Sequence, residues 1–288
     1  MDAKTAVIIV MIVVVVFLVM NKMTSNYSSE IPKIIWTYWD STEKPETVRR
    51  CMDSWKKFNP DYDIRVISKE NLSRYTQTDI LELKLNDSPS RTADFIRLDV
   101  LSQYGGIWSD ASVLMTRDLG WVHDIQKSKG CEVVGYYIDG SIPKWPVMEG
   151  WFFACVPKSS YVKMWRDEFF RMNEFDSVDA YLESLDRDGD VQRIFNHRNY
   201  LAMTSANQRV MQKHMSDEEI SQKLHLMDAR TGPLKYLEDH GWNAESSIDN
   251  LCKKNKEELP SLIKFTNKER SYIEKSGDAK CVFKYADV

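Results

Sequence analysis

The segment RTADFIRLDVLSQYGGIWSDASVLM limits the possible folds more than any other part of this 288-residue chain. Its first half carries apolar residues at helical spacing and predicts a helix from about Thr92 to Tyr104. Gly105 and Gly106 end that helix, and the apolar residues after them predict a strand over IWSDASVLM. A helix that returns at once into a buried strand is typical of a sheet covered by helices.

The same alternation of strands and helices extends over the first half of the chain. Buried strands are predicted at IPKIIWTYW, YDIRVIS, CEVVGYYI and WFFACV, and helices at PETVRRCMDSWKKF and SSYVKMWRDEFFRM. This order predicts an α/β fold with a mostly parallel sheet. From Asp176 onward the pattern is mainly helical, at SANQRVMQKHM and SDEEISQKLHL, until a last strand at SLIKFT. We find no linker, so residues 31–288 are expected to form one domain.

Residues 6–20, AVIIVMIVVVVFLVM, form an unbroken apolar run between Lys4 and Lys22. As a helix this run would be ~23 Å long, less than the ~30 Å hydrocarbon core of a bilayer, so Met23 and the aliphatic part of Lys4 would have to contribute. A cleaved signal peptide is the alternative, although NKMTSNYSSE offers a poor cleavage site. We therefore predict a single-pass membrane anchor over residues 1–23 and a short stem over residues 24–30. The flanking lysines do not determine its orientation.

The composition excludes some classes of function. The formal net charge is -4 and the isoelectric point is near 5.8, so nucleic acid is not an expected partner. The five cysteines are widely spaced, and their odd number leaves at least one free or paired between chains. Neither the cysteines nor the five histidines have the spacing of a zinc site, although His225 is a candidate for a late metal ligand.

Charged residues collect on the predicted helix and directly after the strand that follows it. Asp94 and Arg97 share a helical face, with Arg91 about one turn earlier. An ordinary ion pair within the helix would also explain this spacing. Asp110, however, follows the apolar Ile107 and Trp108, and open α/β sheets bind their ligands where such strands end. The pattern therefore predicts a binding site at this edge of the sheet.

The residue types at this edge suit the chemistry of a diphosphate. A carboxylate binds a hard cation, and a divalent cation can neutralise the charge that grows on a departing diphosphate. We expect Asp110, helped by the Ser112 hydroxyl, to bind Mn²⁺ or Mg²⁺ that arrives with a nucleotide. Arg97 or Lys264 could contact the phosphates.

The chain resembles the glycosyltransferases with a DXD sugar-binding motif, in the branch that includes bacterial capsular polysaccharide synthesis proteins. The resemblance lies in IPKIIWTYW, RTADFIRLDVLSQYGGIWSDASV and EGWFFACVPKSSYVKMW, and more weakly in TGPL and LIKFTNK. It implies a GT-A type fold with a Rossmann-like sheet, a nucleotide-sugar donor and a glycan or polysaccharide acceptor. It also implies dependence on Mn²⁺ or Mg²⁺, retention of anomeric configuration and, in a eukaryotic cell, a catalytic domain in the Golgi lumen.

Carried over by position, the resemblance gives individual residues a role. Asp110 matches the first acid of the motif, and Ser112 stands where the second acid is expected. Because of this replacement, a catalytically inactive carbohydrate-binding protein remains an alternative, and a metal-dependent phosphohydrolase is a further one. Glu149 is expected near the acceptor or the anomeric carbon, as a second catalytic candidate beside Asp110. The expected donor-binding residues are Trp39, near the nucleotide base, and Arg91, Asp94, Arg97, Gly106 and Lys264.

Overall fold

The computed structural model describes residues 30–187 and 199–286. These residues form a six-stranded sheet with helices on both faces, and two further strands form a small second sheet. Within the same two ranges, no helix is both long enough and apolar enough to cross a bilayer. The predicted membrane anchor at residues 1–23, and the predicted stem apart from Glu30, lie outside the described residues.

The elements are numbered here in chain order. The strands are β1 Ile34–Tyr38, β2 Asp63–Ile67, β3 Gly106–Ser109, β4 Val113–Met115, β5 Val133–Asp139, β6 Val147–Cys155, β7 Leu224–Asp228 and β8 Leu262–Lys264. The helices are α1 Glu46–Phe58, α2 Pro89–Tyr104, α3 Gly120–Lys129, α4 Ser160–Phe170, α5 Val178–Arg187, α6 Ala202–His214, α7 Asp217–Lys223, α8 Lys235–Glu238, α9 Ala244–Leu251 and α10 Asn267–Lys275. The last described element is a 3-10 helix, Asp278–Tyr285.

The main sheet is mixed, with strand order β2-β1-β3-β6-β5-β7. Strand β1 runs parallel to β2 and β3, and β5 runs parallel to β7. Strand β6 is antiparallel to both of its neighbours, β3 and β5. The prediction of an α/β fold with a mostly parallel sheet is confirmed, because five of the six described strands of this sheet run in one direction and β6 alone runs in the opposite one. The reason is that residues 140–146 join β5 to β6 without a helix, and such a short connection suits antiparallel strands.

The predicted strand over IWSDASVLM is wrong, because it is divided into β3 and β4. Residues 110–112 form a turn between the two strands, closed by a hydrogen bond from the Val113 N–H to the Asp110 carbonyl oxygen (3.0 Å). Strand β4 leaves the main sheet and pairs antiparallel with β8, so that Val113 lies opposite Lys264. This pairing brings a residue from the end of the chain to the turn.

Alternate residues of the strands supply two separate cores, one on each face of the main sheet. On one face Ile35 packs with Trp55 of α1, and both are fully buried. On the other face Trp36 belongs to the same core as Phe95 of α2 and Trp165 of α4. This alternation is what the period of two along a strand requires when both faces of a sheet are covered.

Two of the helix boundaries that differ from the prediction have a clear physical reason. Helix α2 begins at Pro89 rather than near Thr92, because the Ser88 hydroxyl accepts a hydrogen bond from the Arg91 N–H (3.3 Å) and proline suits the first helical position. The helix predicted over SDEEISQKLHL ends at Lys223, and the residues after it form β7. Parallel pairing with β5 outweighs the local helical pattern there.

A disulfide joins Cys252, directly after α9, to Cys281 in the last helix, with their Cα atoms 5.5 Å apart. The other cysteines, Cys51, Cys131 and Cys155, are buried thiols. The odd cysteine count correctly predicted at least one free thiol, but widely spaced cysteines gave no sign of which two would pair.

Candidate active site

Main-chain hydrogen bonds fix the turn between β3 and β4. The Asp110 N–H donates to the Trp151 carbonyl oxygen of β6 (2.8 Å), and the Phe265 N–H, after β8, donates to the Ser112 carbonyl oxygen (3.1 Å). Residues from both sheets therefore hold the turn, and the side chains of Asp110 and Ser112 lie at the junction of the sheets. Asp110 lies at the carboxyl end of a strand, where the sequence predicted a site.

Three donors surround the carboxylate of Asp110. Its Oδ1 accepts hydrogen bonds from Arg97 Nη2 and Trp108 Nε1, each at 3.0 Å, and its Oδ2 accepts one from Lys264 Nζ at 2.7 Å. Burial alone would raise the pKa of this carboxyl group, but the positive charges of Lys264 and Arg97 outweigh burial and lower it. Because its pKa is lowered, Asp110 is ionised at neutral pH. Its side chain is 29% exposed, so solvent can still reach it.

Arg97 links two carboxylates across the site. Its Nη1 lies 2.9 Å from Asp94 Oδ1, its Nη2 binds Asp110, and its guanidinium lies 4.9 Å from the centre of the Trp108 ring. The Arg97 Nε is buried and has no hydrogen-bond partner among the described residues. Gly150 leaves the space for this arrangement, because a Cβ atom there would lie 2.6 Å from Arg97 Nη1.

A cavity of about 440 Å³ lies beside Asp94. Burial raises the pKa of Asp94 to about 6, although Arg97 and Arg91 act in the opposite direction. Arg91 Nη2 donates to both the carbonyl oxygen and the side-chain oxygen of Asn199, each at 2.9 Å. The cavity is open to a polar ligand, since it is lined by Asp87, Ser88, Ser90, Arg91, Asp94, Asn199 and Tyr200.

Lys264 reaches the site from β8. Its Nζ lies 2.7 Å from Asp110 Oδ2 and 3.1 Å from Ser112 Oγ, so one ammonium group bridges both predicted metal ligands. The lysine side chain is 12% exposed and its Nζ lies 5.9 Å from the centre of the Trp151 ring. Lys264, predicted from the sequence only as a donor-binding residue, therefore lies directly beside the acidic turn, and its distance along the chain gave no indication of this contact.

Glu149 lies on β6, two residues before Trp151. Burial raises the pKa of its carboxyl group to about 7, with Asp110 acting in the same direction and Lys264 in the opposite one. A carboxyl group with this pKa changes its charge near neutral pH. It could therefore accept or release a proton close to Asp110.

The Asp110 and Ser112 side chains do not fit a divalent cation as they are arranged. A bound Mg²⁺ lies ~2.0–2.1 Å from its oxygen ligands, and the Lys264 ammonium already bonds to both oxygens that the metal would take. Among the described residues, no group of three or more His, Cys, Asp or Glu side chains is placed to hold a metal. The predicted dependence on Mn²⁺ or Mg²⁺ remains a prediction.

Other predicted site residues lie farther from Asp110. Trp39 follows β1 at the same carboxyl edge, is half-buried, and donates its indole N–H to the Glu43 carbonyl oxygen (3.1 Å). Gly106 lies at the opposite end of β3. Its φ is +99°, and a Cβ atom at this position would lie 2.9 Å from the Ile34 carbonyl oxygen, so backbone conformation and packing are enough to explain the glycine. We therefore do not include Gly106 in the donor site.

The suggestion of His225 as a metal ligand is wrong for this site. His225 lies on β7 opposite Val134 of β5, and β6 lies between β5 and β3. With neighbouring strands about 4.8 Å apart, these three steps separate β7 from β3 by about 14 Å.

Some residues of the site were missed in the sequence. Trp108 is a core residue, 1% exposed, that also belongs to the site, because its indole N–H donates to Asp110 Oδ1. Asn199 and Tyr200 had no signal in the sequence, because nothing in their local sequence relates them to α2. Tyr200 is 67% exposed and lines the cavity beside Asp94.

The family of capsular polysaccharide synthesis proteins matches residues 17–175, which is more than half of the chain. The chain belongs to this family. The part that matches the capsular polysaccharide synthesis family contains Asp94, Arg97, Asp110 and Glu149, but it ends before Lys264.

Three fungal proteins are also similar in sequence. The O-glycosyltransferase braB of Annulohypoxylon truncatum is 27% identical over 158 residues, 49% of this chain and 37% of that protein. Inositol phosphoceramide mannosyltransferase 3 of Schizosaccharomyces pombe is 30% identical over 103 residues, 34% of this chain and 29% of that protein. Glycosyltransferase afumC of Aspergillus fumigatus is 25% identical over 153 residues, 47% of this chain and 39% of that protein.

The matched part of this chain thus spans less than two fifths of each of these relatives. A solved structure titled PaToxG Glycosyltransferase aligns with 93% of both chains at 12% identity. The TM-score of this alignment is 0.40.

Proposed function

We propose that this protein is a GT-A type glycosyltransferase that moves a sugar, with retention of configuration, from a nucleotide-diphosphate donor to a hydroxyl group of a glycan or polysaccharide. Membership of the capsular polysaccharide synthesis family supports the substrate class. The names of the three fungal relatives support glycosyl transfer as the reaction class.

The observation that carries the proposal is the cluster at the end of β3. Two cationic side chains, Arg97 of helix α2 and Lys264 of strand β8, converge on the single carboxylate of Asp110. Two further carboxyl groups, Asp94 and Glu149, have pKa values raised to about 6 and about 7. At neutral pH Glu149 is therefore partly protonated, and Arg97 and Lys264 offset the negative charges of Asp94 and Asp110, so a diphosphate can approach the cluster.

Each residue of the cluster has a role that its position supports. Asp94 borders the 440 Å³ cavity and would accept hydrogen bonds from sugar hydroxyl groups. The buried Nε of Arg97 has no hydrogen-bond partner among the described residues, and an oxygen atom of the nucleotide sugar could accept a hydrogen bond from it. Trp39, at the same edge of the sheet, would stack on the nucleotide base.

In the reaction, the bond between the anomeric carbon and the terminal phosphate oxygen breaks, and the nucleoside diphosphate leaves with the electron pair. The acceptor hydroxyl oxygen forms the new bond on the same face, and its proton passes to a carboxylate or to the departing phosphate. Glu149 is our candidate for that carboxylate, because its pKa of about 7 suits proton transfer at neutral pH. The positive charges of Arg97 and Lys264 stabilise the leaving diphosphate.

The test is a panel of nucleotide sugars offered to the full chain in detergent, with Mn²⁺ and with chelator, while free nucleoside diphosphate is measured. We expect release from at least one donor, and a decrease of at least ~100-fold in Asp110→Asn, because this carboxylate orients both cations. Asp53→Asn, an exposed position on α1, makes the same change of charge and should retain the wild-type rate. An Asp110→Asn enzyme of wild-type rate would refute the assignment.

A catalytically inactive carbohydrate-binding protein is the second candidate. Ser112 replaces the second acid of the expected motif, and both Asp110 oxygens already accept hydrogen bonds. Such a protein would bind a nucleotide or a glycan in calorimetry and release no diphosphate from any donor. The same panel therefore separates the two candidates.

The proposed location is a single-pass membrane protein whose catalytic domain lies in a lumen of the secretory pathway. The apolar run at residues 6–20 supports the anchor. The disulfide between Cys252 and Cys281 supports the lumenal side, because disulfides persist in oxidising compartments.

A further inference from the structure

The position of one ammonium group has a consequence for how the diphosphate is neutralised. Lys264 Nζ is within hydrogen-bond distance of Asp110 Oδ2 and Ser112 Oγ at the same time. These two oxygens are the ones that the sequence assigns to a divalent cation. The other carboxylate oxygen, Asp110 Oδ1, already accepts hydrogen bonds from Arg97 and Trp108.

The backbone of Lys264 is held firmly, so its approach to the turn is built into the fold. The residue lies opposite Val113 in the pairing of β4 with β8, and its carbonyl oxygen accepts a hydrogen bond from the Tyr236 hydroxyl (2.8 Å). The side chain is 12% exposed and passes close to Trp151. An ammonium group held in this way needs little reorganisation to act on a ligand.

We propose that the Lys264 ammonium takes the place of a divalent cation at Asp110 and Ser112, so that transfer proceeds without a metal. This inference rests on the proposed function. It concerns the same site and names the group that neutralises the leaving nucleoside diphosphate. Lys264 contributes a positive charge, beside the guanidinium of Arg97, next to the breaking bond between the anomeric carbon and the phosphate oxygen.

The proposal explains why serine can stand where a second acid is expected. A divalent cation benefits from two carboxylates, whereas an ammonium group carries a single charge and needs one. Asp110 supplies the one negative charge, and the Ser112 hydroxyl supplies a neutral hydrogen-bond acceptor. The Lys264 ammonium group therefore has a hydrogen-bond partner in each of the two residues. A second aspartate would leave an extra buried negative charge facing the diphosphate.

The first measurement is diphosphate release by the full-length wild-type protein in detergent, in EDTA and in Mn²⁺. We expect the rate in EDTA to be at least half of the rate in Mn²⁺. Lys264→Met should lower the rate in EDTA at least 100-fold, and Mn²⁺ should restore at least a tenth of it, because the two oxygens are then free for a metal. Lys127→Met, at an exposed position of α3, is the matched control and should behave as wild type.

The second measurement is a Mn²⁺ titration followed by electron paramagnetic resonance, which does not depend on turnover. Mn²⁺ should bind Lys264→Met at least ten times more tightly than wild type or Lys127→Met. Circular dichroism and the melting temperature of each variant establish that it is folded. If Lys264→Met does not fold, Lys264→Arg, which keeps the charge, should retain activity in EDTA.

The outcomes are distinguishable. Wild-type activity that is lost in EDTA and restored by Mn²⁺ would overturn the lysine assignment and leave glycosyl transfer intact. Absence of turnover with every donor would instead count against the proposed function. In that case the Mn²⁺ titration still decides, because equal affinity in wild type and Lys264→Met means that the lysine does not hold the metal position.

Discussion

At the residue scale, the environment of the carboxyl groups divides them into two kinds. Asp110 has two cationic partners that keep its pKa low, whereas burial raises the pKa of Asp94 and of Glu149. The three groups have nearly the same intrinsic acidity, so the difference comes from their partners and their desolvation. This division suits a site in which one acid holds cations and another exchanges a proton.

The pKa of Glu149 predicts a dependence of the reaction rate on pH. If the ionised Glu149 takes the proton from the hydroxyl group of the acceptor glycan, the reaction rate should rise with pH through about 7. Glu149→Gln should lower the rate at least ~100-fold and remove this rise. The check is a pH profile of diphosphate release between pH 5 and pH 9. Glu183→Gln, on the exposed side of α5, should keep the wild-type profile, and a rise that persists in Glu149→Gln would contradict the assignment.

The same group predicts how stability varies with pH. Because the folded pKa of Glu149, about 7, lies above its ordinary value of 4.5, the folded chain binds this proton more tightly than the unfolded chain. The free energy of unfolding should therefore decrease as pH rises from about 4.5 to about 7. Urea unfolding of Glu149→Gln should show a smaller decrease over this interval than wild type.

At the element scale, the disulfide links the 3-10 helix Asp278–Tyr285 to the end of α9. Cys281 belongs to the last 3-10 helix, and the Tyr285 hydroxyl in the same helix donates to the carbonyl oxygens of Leu251 and Lys254. Helix α10 lies between the two cysteines in sequence and follows β8, which carries Lys264. The disulfide therefore supports the region that delivers the lysine to the site.

Removal of this disulfide should destabilise the protein. The cysteines are 29 residues apart in sequence, and a loop of this length corresponds to about 3–4 kcal/mol in the chain-entropy description. Urea unfolding should show this decrease in Cys252→Ala with Cys281→Ala. Reductant should lower the stability of wild type by a similar amount and leave the double variant unchanged. A further decrease in the double variant would mean that the reductant acts elsewhere.

At the scale of the whole molecule, the site depends on parts of the chain that are far apart in sequence. Arg97 and Trp108 come from one face of the main sheet, whereas Lys264 comes from the small sheet that β4 forms with β8. The turn after β3 is the point where these parts meet. A substitution that displaces either sheet should therefore change the distances from Asp110 to Arg97 and Lys264.

The proposed lumenal location predicts protection of the whole domain from added protease. In sealed microsomes that contain the full chain, the domain should resist protease until detergent opens the membrane. Cys252 and Cys281 should resist alkylation in the denatured protein before reduction, because they are paired. Cleavage in sealed vesicles would place the domain on the cytoplasmic side.

Local patterns determined several elements of the fold. The period of apolar residues predicted β1, α1 and β2 correctly, and Gly105 ended α2 as expected. Local patterns could not predict that IWSDASVLM is divided, because β4 changes its partner from the main sheet to β8. They also could not distinguish the end of α7 from the start of β7, where pairing with β5 decides.

For the site, the sequence by itself was enough to predict that Asp94, Arg97 and Asp110 belong to it. The spacing of three residues on a helix and the position of an acid after a buried strand are both local features. Only the tertiary structure decided which cation faces Asp110. Lys264 is 154 residues away in sequence, and its approach depends on pairing between β4 and β8. Local sequence determines which face a side chain takes, whereas partners from distant segments, and the burial that shifts their pKa values, exist only once the chain is folded.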